Sequence, residues 1–527
     1  MYLARAGFAV DVFERLPEPS CMAADKRRAY MIALTERGQA ALTALGIDLS
    51  AHGQAHTSGA ICLHTALGTH RLSCAESSVG FTRADLTQML IDEARSRYPR
   101  QITLHFGAKL AGVDLEGQVA TFDEMTSAAP PGDISSGGGA GNLGDGVVGA
   151  KAEAAAARNF PYDLIVGADG ANSQVRAAMQ EADPSLRVDV ADSGREYLTF
   201  HSIPPAPGME PPSGPSPSSG ATATTTGGAA GAAAGAGGGA GQGAGAGQEL
   251  HLFASGDPRA MLSAHRSCND PGFSGMVALE AGGFDELVTP ADFEAMLKAK
   301  FRQAPAEWVP LVAAQLSAAK AAAGRPSSVG KRIRVSRLDG RAAILVGDAA
   351  HGVTPVHGQG ANSALESCAV LGAALSRAAA DAAAAAKARG SGLAQARAAA
   401  VAAVPAAFDA ARRADAHALA ALDEKAHALF ESPSLFNADF RDMVGHVSLG
   451  LLSRLMPGSS GRKGPPELLQ IGSTLPYSDI VRAMDRDARA AKAVGQALAG
   501  AVAAVGLHSL AGAAAAAAAT TGGLPGL

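Results

Sequence analysis

The residues best placed to do chemistry lie in one run, Gly347-Asp348-Ala349-Ala350-His351-Gly352-Val353-Thr354-Pro355-Val356-His357-Gly358-Gln359-Gly360-Ala361-Asn362. Residues 341–346 before it are apolar and predict a buried strand; residues 363–375 after it carry apolar positions at helical spacing. The run therefore leaves the C-terminal end of a strand and enters a helix, which is where open α/β sheets bind ligands. Asp348 can accept hydrogen bonds from the hydroxyls of a sugar-like chain. Pro355 stiffens the turn. Gly358 and Gly360, on either side of Gln359, let backbone approach a flat ligand. The helix that begins near Ala361 and Asn362 aims free N–H groups and a positive dipole end at that ligand, which favours an anion. Gly-Asp alone fits an ordinary strand-to-helix turn equally well. The whole run is far more specific.

Other stretches answer to the same kind of ligand. Residues 1–7 read as a helix end capped by Gly7, and residues 8–13 as a strand with Glu14 at its tip. A strand ending in an acid is the second strand of a dinucleotide-binding βαβ unit, the acid bonding ribose hydroxyls. Its first strand and G-x-G-x-x-G turn are expected before Met1. Residues 26–46 read as a basic turn, a short strand and a helix, with Arg28 and Ala33 where the chain would pass the ligand. Phe81-Thr82-Arg83 opens a helix that runs to Arg97, with Thr82 as N-cap and Asp85 completing a variant capping box. Arg83 either reaches the ligand or is a plain surface arginine. Residues 162–167 form an apolar strand, Asp169-Gly170 a turn, and Asn172 or Ser173 caps the next helix.

The elements that must position these groups follow from patterning. At 527 residues the chain admits two or more domains. Sheet is predicted at 60–72, 102–115 (as a hairpin strand), 188–204, 250–253 and 331–336, and helix at 293–302 and 308–322. Residues 126–157 and 205–248 are Gly/Ala/Pro-rich and read as disordered inserts. From Ser376 the chain is helical and Ala-rich. Residues 493–518 are uncharged and long enough to span a bilayer, although alanine is near neutral for insertion. A net charge of −5 suggests no nucleic-acid surface. Cys21, Cys62, Cys74, Cys268 and Cys368 form no C-x-x-C and no even framework, which fits a reducing intracellular compartment and shows no metal site.

Taken together, residues 3–14, 28–38, 81–83, 163–176 and 347–362 resemble the FAD-dependent aromatic hydroxylase family, the group A flavoprotein monooxygenases. Ala414-Asp-Ala-His417, Leu455-Met-Pro457 and Tyr477-Ser-Asp-Ile-Val481 resemble the helices of its kynurenine 3-monooxygenase branch. The resemblance implies an α/β fold: a Rossmann-like FAD-binding domain, p-hydroxybenzoate hydroxylase-like, interleaved with a mixed β-sheet substrate domain and an α-helical C-terminal region. The FAD-binding parts would be 1–55, 81–185 and 336–376. The substrate domain would be 56–80 and 186–335, the helical region 377–490, and an Ala/Gly-rich tail 491–527. The cofactors implied are FAD and NADPH; the partners are a small aromatic substrate, NAD(P)H and O2, the ring being hydroxylated through a flavin C4a-hydroperoxide. Glu14, Arg28, Ala33, Arg83, Leu110, Asp169, Gly170, Asp348, Ala361 and Asn362 would bind cofactor, Leu110 by family position alone. Pro355, Gly358, Gln359 and Gly360 would shape the reacting face, with no metal. Weak membrane association of the tail and a place at the mitochondrial outer membrane are implied by resemblance only.

The sequence departs from that branch in the substrate segment. Between His52 and Ser77, Gly59 or Ile61 stands near the branch's carboxylate-binding Arg, and no Tyr occurs. Ala426 and Glu467 stand at about the positions of a further Asn and Tyr. Two alternatives remain at this stage: a pseudoenzyme lacking the phosphate turn, and a flavin reductase of the same fold. A halogenase would carry Trp-x-Trp, and this chain has only Trp308.

Overall fold

The computed structural model describes residues 1–19, 31–49, 56–65, 68–124, 157–207, 250–255, 259–267, 270–323, 330–431 and 471–521, with isolated positions between them. Arg28 and nearly all of the two expected inserts lie outside the described residues. In chain order, α1 (Tyr2–Arg5), β1 (Val10–Glu14), β2 (Met31–Leu34) and α2 (Glu36–Thr43) precede β3 (His56–Thr65), β4 (Gly68–Thr82) and α3 (Arg83–Arg97). Then come β5 (Ile102–Phe106), β6 (Ala108–Asp114), β7 (Val119–Glu124), β8 (Arg158–Pro161), β9 (Ile165–Gly167) and α4 (Gln174–Ala182). β10 (Val188–Asp192), β11 (Arg195–Ile203), β12 (Leu250–Phe253), β13 (Met261–Ser267) and β14 (Asp270–Glu280) lead to α5 (Pro290–Lys300) and α6 (Trp308–Ala323). The chain closes with β15 (Ser327–Ser328), β16 (Lys331–Val335), β17 (Asp339–Gly340), β18 (Ala343–Leu345), α7 (Asp348–His351), α8 (Gly360–Arg389), α9 (Leu393–Glu431) and α10 (Tyr477–Thr521).

An eight-stranded sheet, ordered β15-β11-β14-β13-β12-β3-β4-β2, forms one body. It is antiparallel except where β12 runs parallel to β3. Alternation along its strands sends Phe200, Leu262, Phe273, Val277 and Leu279 to one face, where α5 and α6 cover them with Phe293, Leu297, Trp308 and Leu316. Gly275 is required where β13 and β14 meet: a Cβ there would lie 2.0 Å from the Ser263 carbonyl oxygen. The Trp308 indole N–H donates to the Pro204 carbonyl at 2.9 Å, and Ala206 is buried in the same core. The packed chain thus continues past the expected start of the second insert at 205.

The second body carries the candidate site. β18 runs parallel to β9, with Leu345 opposite Gly167, and the Val346 N–H donates to the Gly167 carbonyl at 3.0 Å. The chain therefore leaves both strands at the same sheet end, just before Asp348 and Asp169. Beneath it lies a core of Leu115, Val175, Met179, Ile344, Leu345, Ala350, Leu371, Leu375 and Phe408. β1 pairs in parallel with β5, Glu14 opposite Phe106.

Three expectations are corrected. Residues 102–115 are not one hairpin strand: β5 joins β1, whereas β6 pairs with β7 in another sheet. β2, assigned to the FAD-binding part, instead forms the edge of the large sheet against β4, because Ile32 and Leu34 need the cover of Phe81 and its neighbours. β10 and β16 leave that sheet and pair with each other. The expected apolar tract at 493–518 falls within α10. Among the described residues one helix, α8, is long and apolar enough to cross a membrane by length and composition, and its Leu371, Ala374 and Leu375 are buried in the core.

The large-sheet core makes a stability prediction. Phe273 is fully buried among Trp308, Phe253 and Phe293. Phe273→Ala should cost about 3–5 kcal/mol, read as a lower denaturant midpoint with an unchanged slope.

Candidate functional site

The loop between α7 and α8 has two faces. It opens at Gly352, the C-cap of α7, bends through a 3-10 turn at Pro355–His357, and turns at Gly358, whose φ of 63° is left-handed. No atom lies within 4 Å of a Cβ placed at Gly358 or Gly360, so the loop presents bare backbone to open space. Pro355 and Gly358 are exposed, whereas Gln359 is only 1% exposed. α8 starts directly behind, its first turn free of any side-chain cap. A thirty-residue helix thus points its positive end and unpaired amides across a flat, open wall.

Charged groups frame that wall. Asp348 lies at the mouth, reachable by water yet walled by protein. The surrounding protein pushes its carboxyl above the usual range, and the Arg83 charge opposes that shift. Arg83, in the first turn of α3, is thus near enough for its charge to act on Asp348. Thr82 caps α3, accepting the Asp85 N–H at 3.1 Å, which fixes the turn that carries Arg83. Asp169 caps α4: its carboxylate accepts the Gln174 N–H at 2.6 Å, the Val175 N–H at 3.2 Å and the Ser173 hydroxyl at 2.5 Å. Gly170 follows with a φ of 76°. The buried Arg176 ties the two strand ends together, donating to the Ala349 carbonyl at 2.8 Å and the Ala171 carbonyl at 2.7 Å. Glu14 is exposed at the tip of β1, and its Oε1 accepts the Leu16 N–H at 2.9 Å. Leu110 lies on β6 and packs against the core beneath the site. The open backbone wall, the uncapped helix end and the Asp348 carboxylate fit a flat anionic ring system with a hydroxylated side chain.

Behind the wall the loop is held by buried polar groups. Asn362 is fully buried; its Oδ1 accepts the Thr35 N–H at 2.9 Å, and its Nδ2 donates to the Ala33 and Gly358 carbonyls at 3.0 and 2.9 Å. Both of these predicted positions thus meet, but through a clamp between β2 and the loop, with the Asn362 amide spent on protein. The buried Asp423 of α9 accepts the Thr354 N–H on both oxygens at 3.1 Å and the Thr354 hydroxyl at 2.7 Å. His357 Nε2 donates to the Leu422 carbonyl at 3.3 Å. The Tyr477 hydroxyl donates to Gln359 Oε1 at 2.9 Å.

Tyr477 belongs to a wider buried cluster. Arg37 lies 3.8 Å over its ring and pairs with Glu366, which also pairs with Arg412 at 2.5 Å. Arg412 donates to the hydroxyls of Ser363 and Ser367, at 2.8 and 3.0 Å. The Ser367 hydroxyl gives its proton to the Ser363 carbonyl, so His351, 3.2 Å away, is the donor in their contact. Tyr477 stood out in the sequence only within the resemblance at 477–481; Arg37, Glu366, Arg412 and Asp423 were not singled out. The one signal for them was charge within an Ala-rich helix, Arg412 and Asp415 at i, i+3 spacing.

Burial lowers the His351 pKa to about 3, with the Arg412 charge adding to the shift. The unfolded chain takes up a proton near pH 6.5 that the folded chain refuses. The stability this confers is complete above pH 6.5 and is lost as pH falls towards the folded value. Between pH 7 and pH 5 the loss should be about 2 kcal/mol. In His351→Asn, denaturant titrations at the two pH values should differ by that much less.

The comparisons with known proteins agree on one kind of protein. A family model described as an FAD binding domain matches residues 300–404, which include the whole loop. A kynurenine 3-monooxygenase of Salinispora arenicola (strain CNS-205) is 27% identical over 537 aligned positions, covering 97% of this chain and 93% of that one. That of Xanthomonas axonopodis pv. citri (strain 306) is 27% identical over 378, covering 70% and 67%. Among solved structures, the tetrameric form of 2-methyl-3-hydroxypyridine-5-carboxylic acid oxygenase aligns with a TM-score of 0.53 at 16% identity, over 85% of this chain and 92% of that one. Klebsiella pneumoniae HpxO, complexed with FAD and uric acid, gives 0.52 at 15% identity, over 90% and 93%. These two carry the fold: a Rossmann-like FAD-binding domain interleaved with a sheet domain. With the Asp-Gly turn and the Gly-Asp loop at one sheet end, these matches liken the chain to FAD-dependent aromatic hydroxylases.

Proposed function

We propose that this protein hydroxylates a small aromatic molecule, using NADPH as reductant and dioxygen as oxidant. The carrying observation is the backbone wall exposed at Pro355 and Gly358 and open in front of Gly360, backed by the uncapped start of α8. Bound FAD would supply the redox and oxygen chemistry. The chain's own residues would bind and orient. Asp348 would accept hydrogen bonds from the ribityl chain, beside Arg83. The amides of the first turn of α8 would favour negative charge on the ring. Pro355 and Gly358 would shape the face towards the substrate. Asp169, Gly170 and Glu14 would line the path of the sugar and phosphates. His351 and His357 are both tied to protein groups and held below their usual pKa by burial, which suits them to packing rather than to proton transfer.

The substrate class is narrowed by sequence. Relatives named kynurenine 3-monooxygenase support an aromatic substrate. The absence of an Arg or Tyr at the matching places of residues 52–77 disfavours one anchored by a carboxylate, because a buried carboxylate without donors costs several kcal/mol. We expect an electron-rich ring carrying neutral polar groups.

Purified protein incubated with FAD should turn yellow. Suitable aromatics should accelerate its NADPH oxidation and gain one oxygen atom by mass spectrometry. NADPH consumption with peroxide and no oxygenated product from any aromatic tested would favour the reductase reading. Asp348→Ala should weaken FAD binding about tenfold, the worth of one charge-assisted hydrogen bond.

A further inference from the structure

The wall that faces open space is held in place from behind by helices far along the chain. Thr354 is held by Asp423 of α9, His357 by the Leu422 carbonyl of α9, and Gln359 by Tyr477 of α10. Three points of the eight-residue loop thus rest on the C-terminal helices. Of these, Tyr477 is the most specific. Its side chain is fully buried, with Ile480 and Met484 from its own helix and Leu419 and Leu422 from α9 around it. Its ring is fixed under Arg37. The start of its helix is pinned by Asp415, whose carboxylate accepts the Ser478 N–H at 2.9 Å.

We propose that Tyr477 is a positioning residue for the flavin-facing loop, and that it acts by fixing the Gln359 amide. Gln359 Oε1 accepts the Tyr477 hydroxyl proton, and Gln359 Nε2 points to the His357 carbonyl at 3.4 Å. Flipping the amide would set its oxygen against that carbonyl, so the tyrosine selects one orientation. With Gln359 locked, the backbone from Gly358 to Gly360 can turn only one way, which sets where the α8 amides point. The C-terminal helical region is then part of the cofactor site although it contributes nothing to the exposed wall. This inference rests on the function proposed above.

The test is Tyr477→Phe, which keeps the ring beneath Arg37 and removes only the hydroxyl. Hydrogen exchange of the amides in residues 354–361 should speed up about three- to tenfold in the cofactor-free protein, the loss of one neutral hydrogen bond, with the melting temperature held within about 2 °C. FAD affinity, read by flavin fluorescence quenching, should fall by a similar factor, and the visible circular dichroism of the bound flavin should change. Gln359→Leu should reproduce these effects, and Tyr477→Phe on top of it should add nothing. Unchanged loop exchange in Tyr477→Phe, or additive losses in the double variant, would overturn the proposal. If the unaltered protein binds no FAD, the proposed function fails. The exchange measurement still decides whether Tyr477 holds the loop.

Discussion

The structure depends on a balance of charge buried where four helices meet. Arg37 from α2 and Arg412 from α9 share the carboxylate of Glu366 on α8, and Asp415 lies 3.9 Å from Arg412. Two cations and two anions thus stand together, with the Tyr477 ring of α10 beside them. Taking such groups out of water costs several kcal/mol each, and only close geometry with satisfied hydrogen bonds offsets it. That requirement makes the cluster a poor source of net stability and a strong source of register. The four helices can assemble with these partners matched or not at all well.

The consequence reaches the open site. α8 cannot slide or rotate without separating Glu366 from both arginines, so its first turn is fixed relative to the sheet. Arg176 does the same from the other side, joining the Asp169 turn to the carbonyl of Ala349. The exposed wall can therefore afford left-handed and uncapped backbone, because rigidity is supplied from beneath. The division of labour is a general one: bare backbone in front for a ligand, interlocked polar groups and a packed Leu371–Leu375–Phe408 core behind.

Both bodies of the fold are built by ordinary apolar alternation, and this explains which parts could be read in advance. Strands β12 and β18, helices α3 and α6, the Thr82 cap and the Ser173 cap all follow local rules of spacing and capping. The partners of β2 and β5 do not. Each is a short apolar strand that would suit either sheet, and only the cover available in three dimensions decides between them. The Ile102–Phe106 segment looked like part of a hairpin for the same reason; strand spacing carries no information about the neighbour.

The sequence by itself determined the chemistry on offer: the Gly-Asp turn, the Gly-Gln-Gly turn into a helix, the Asp-Gly turn and the acid at the end of β1. Those are encoded by residues that a tight turn or a helix start requires locally. Only the tertiary structure decided that Asn362 and Gln359 face inward and spend their amides on Ala33, Thr35, Gly358 and Tyr477. It also decided that Asp423 and Tyr477, about 70 and 120 residues downstream, hold the loop. A hydrogen bond between distant residues leaves no periodic mark in a chain, since its donor and acceptor are ordinary side chains until folding removes the water between them.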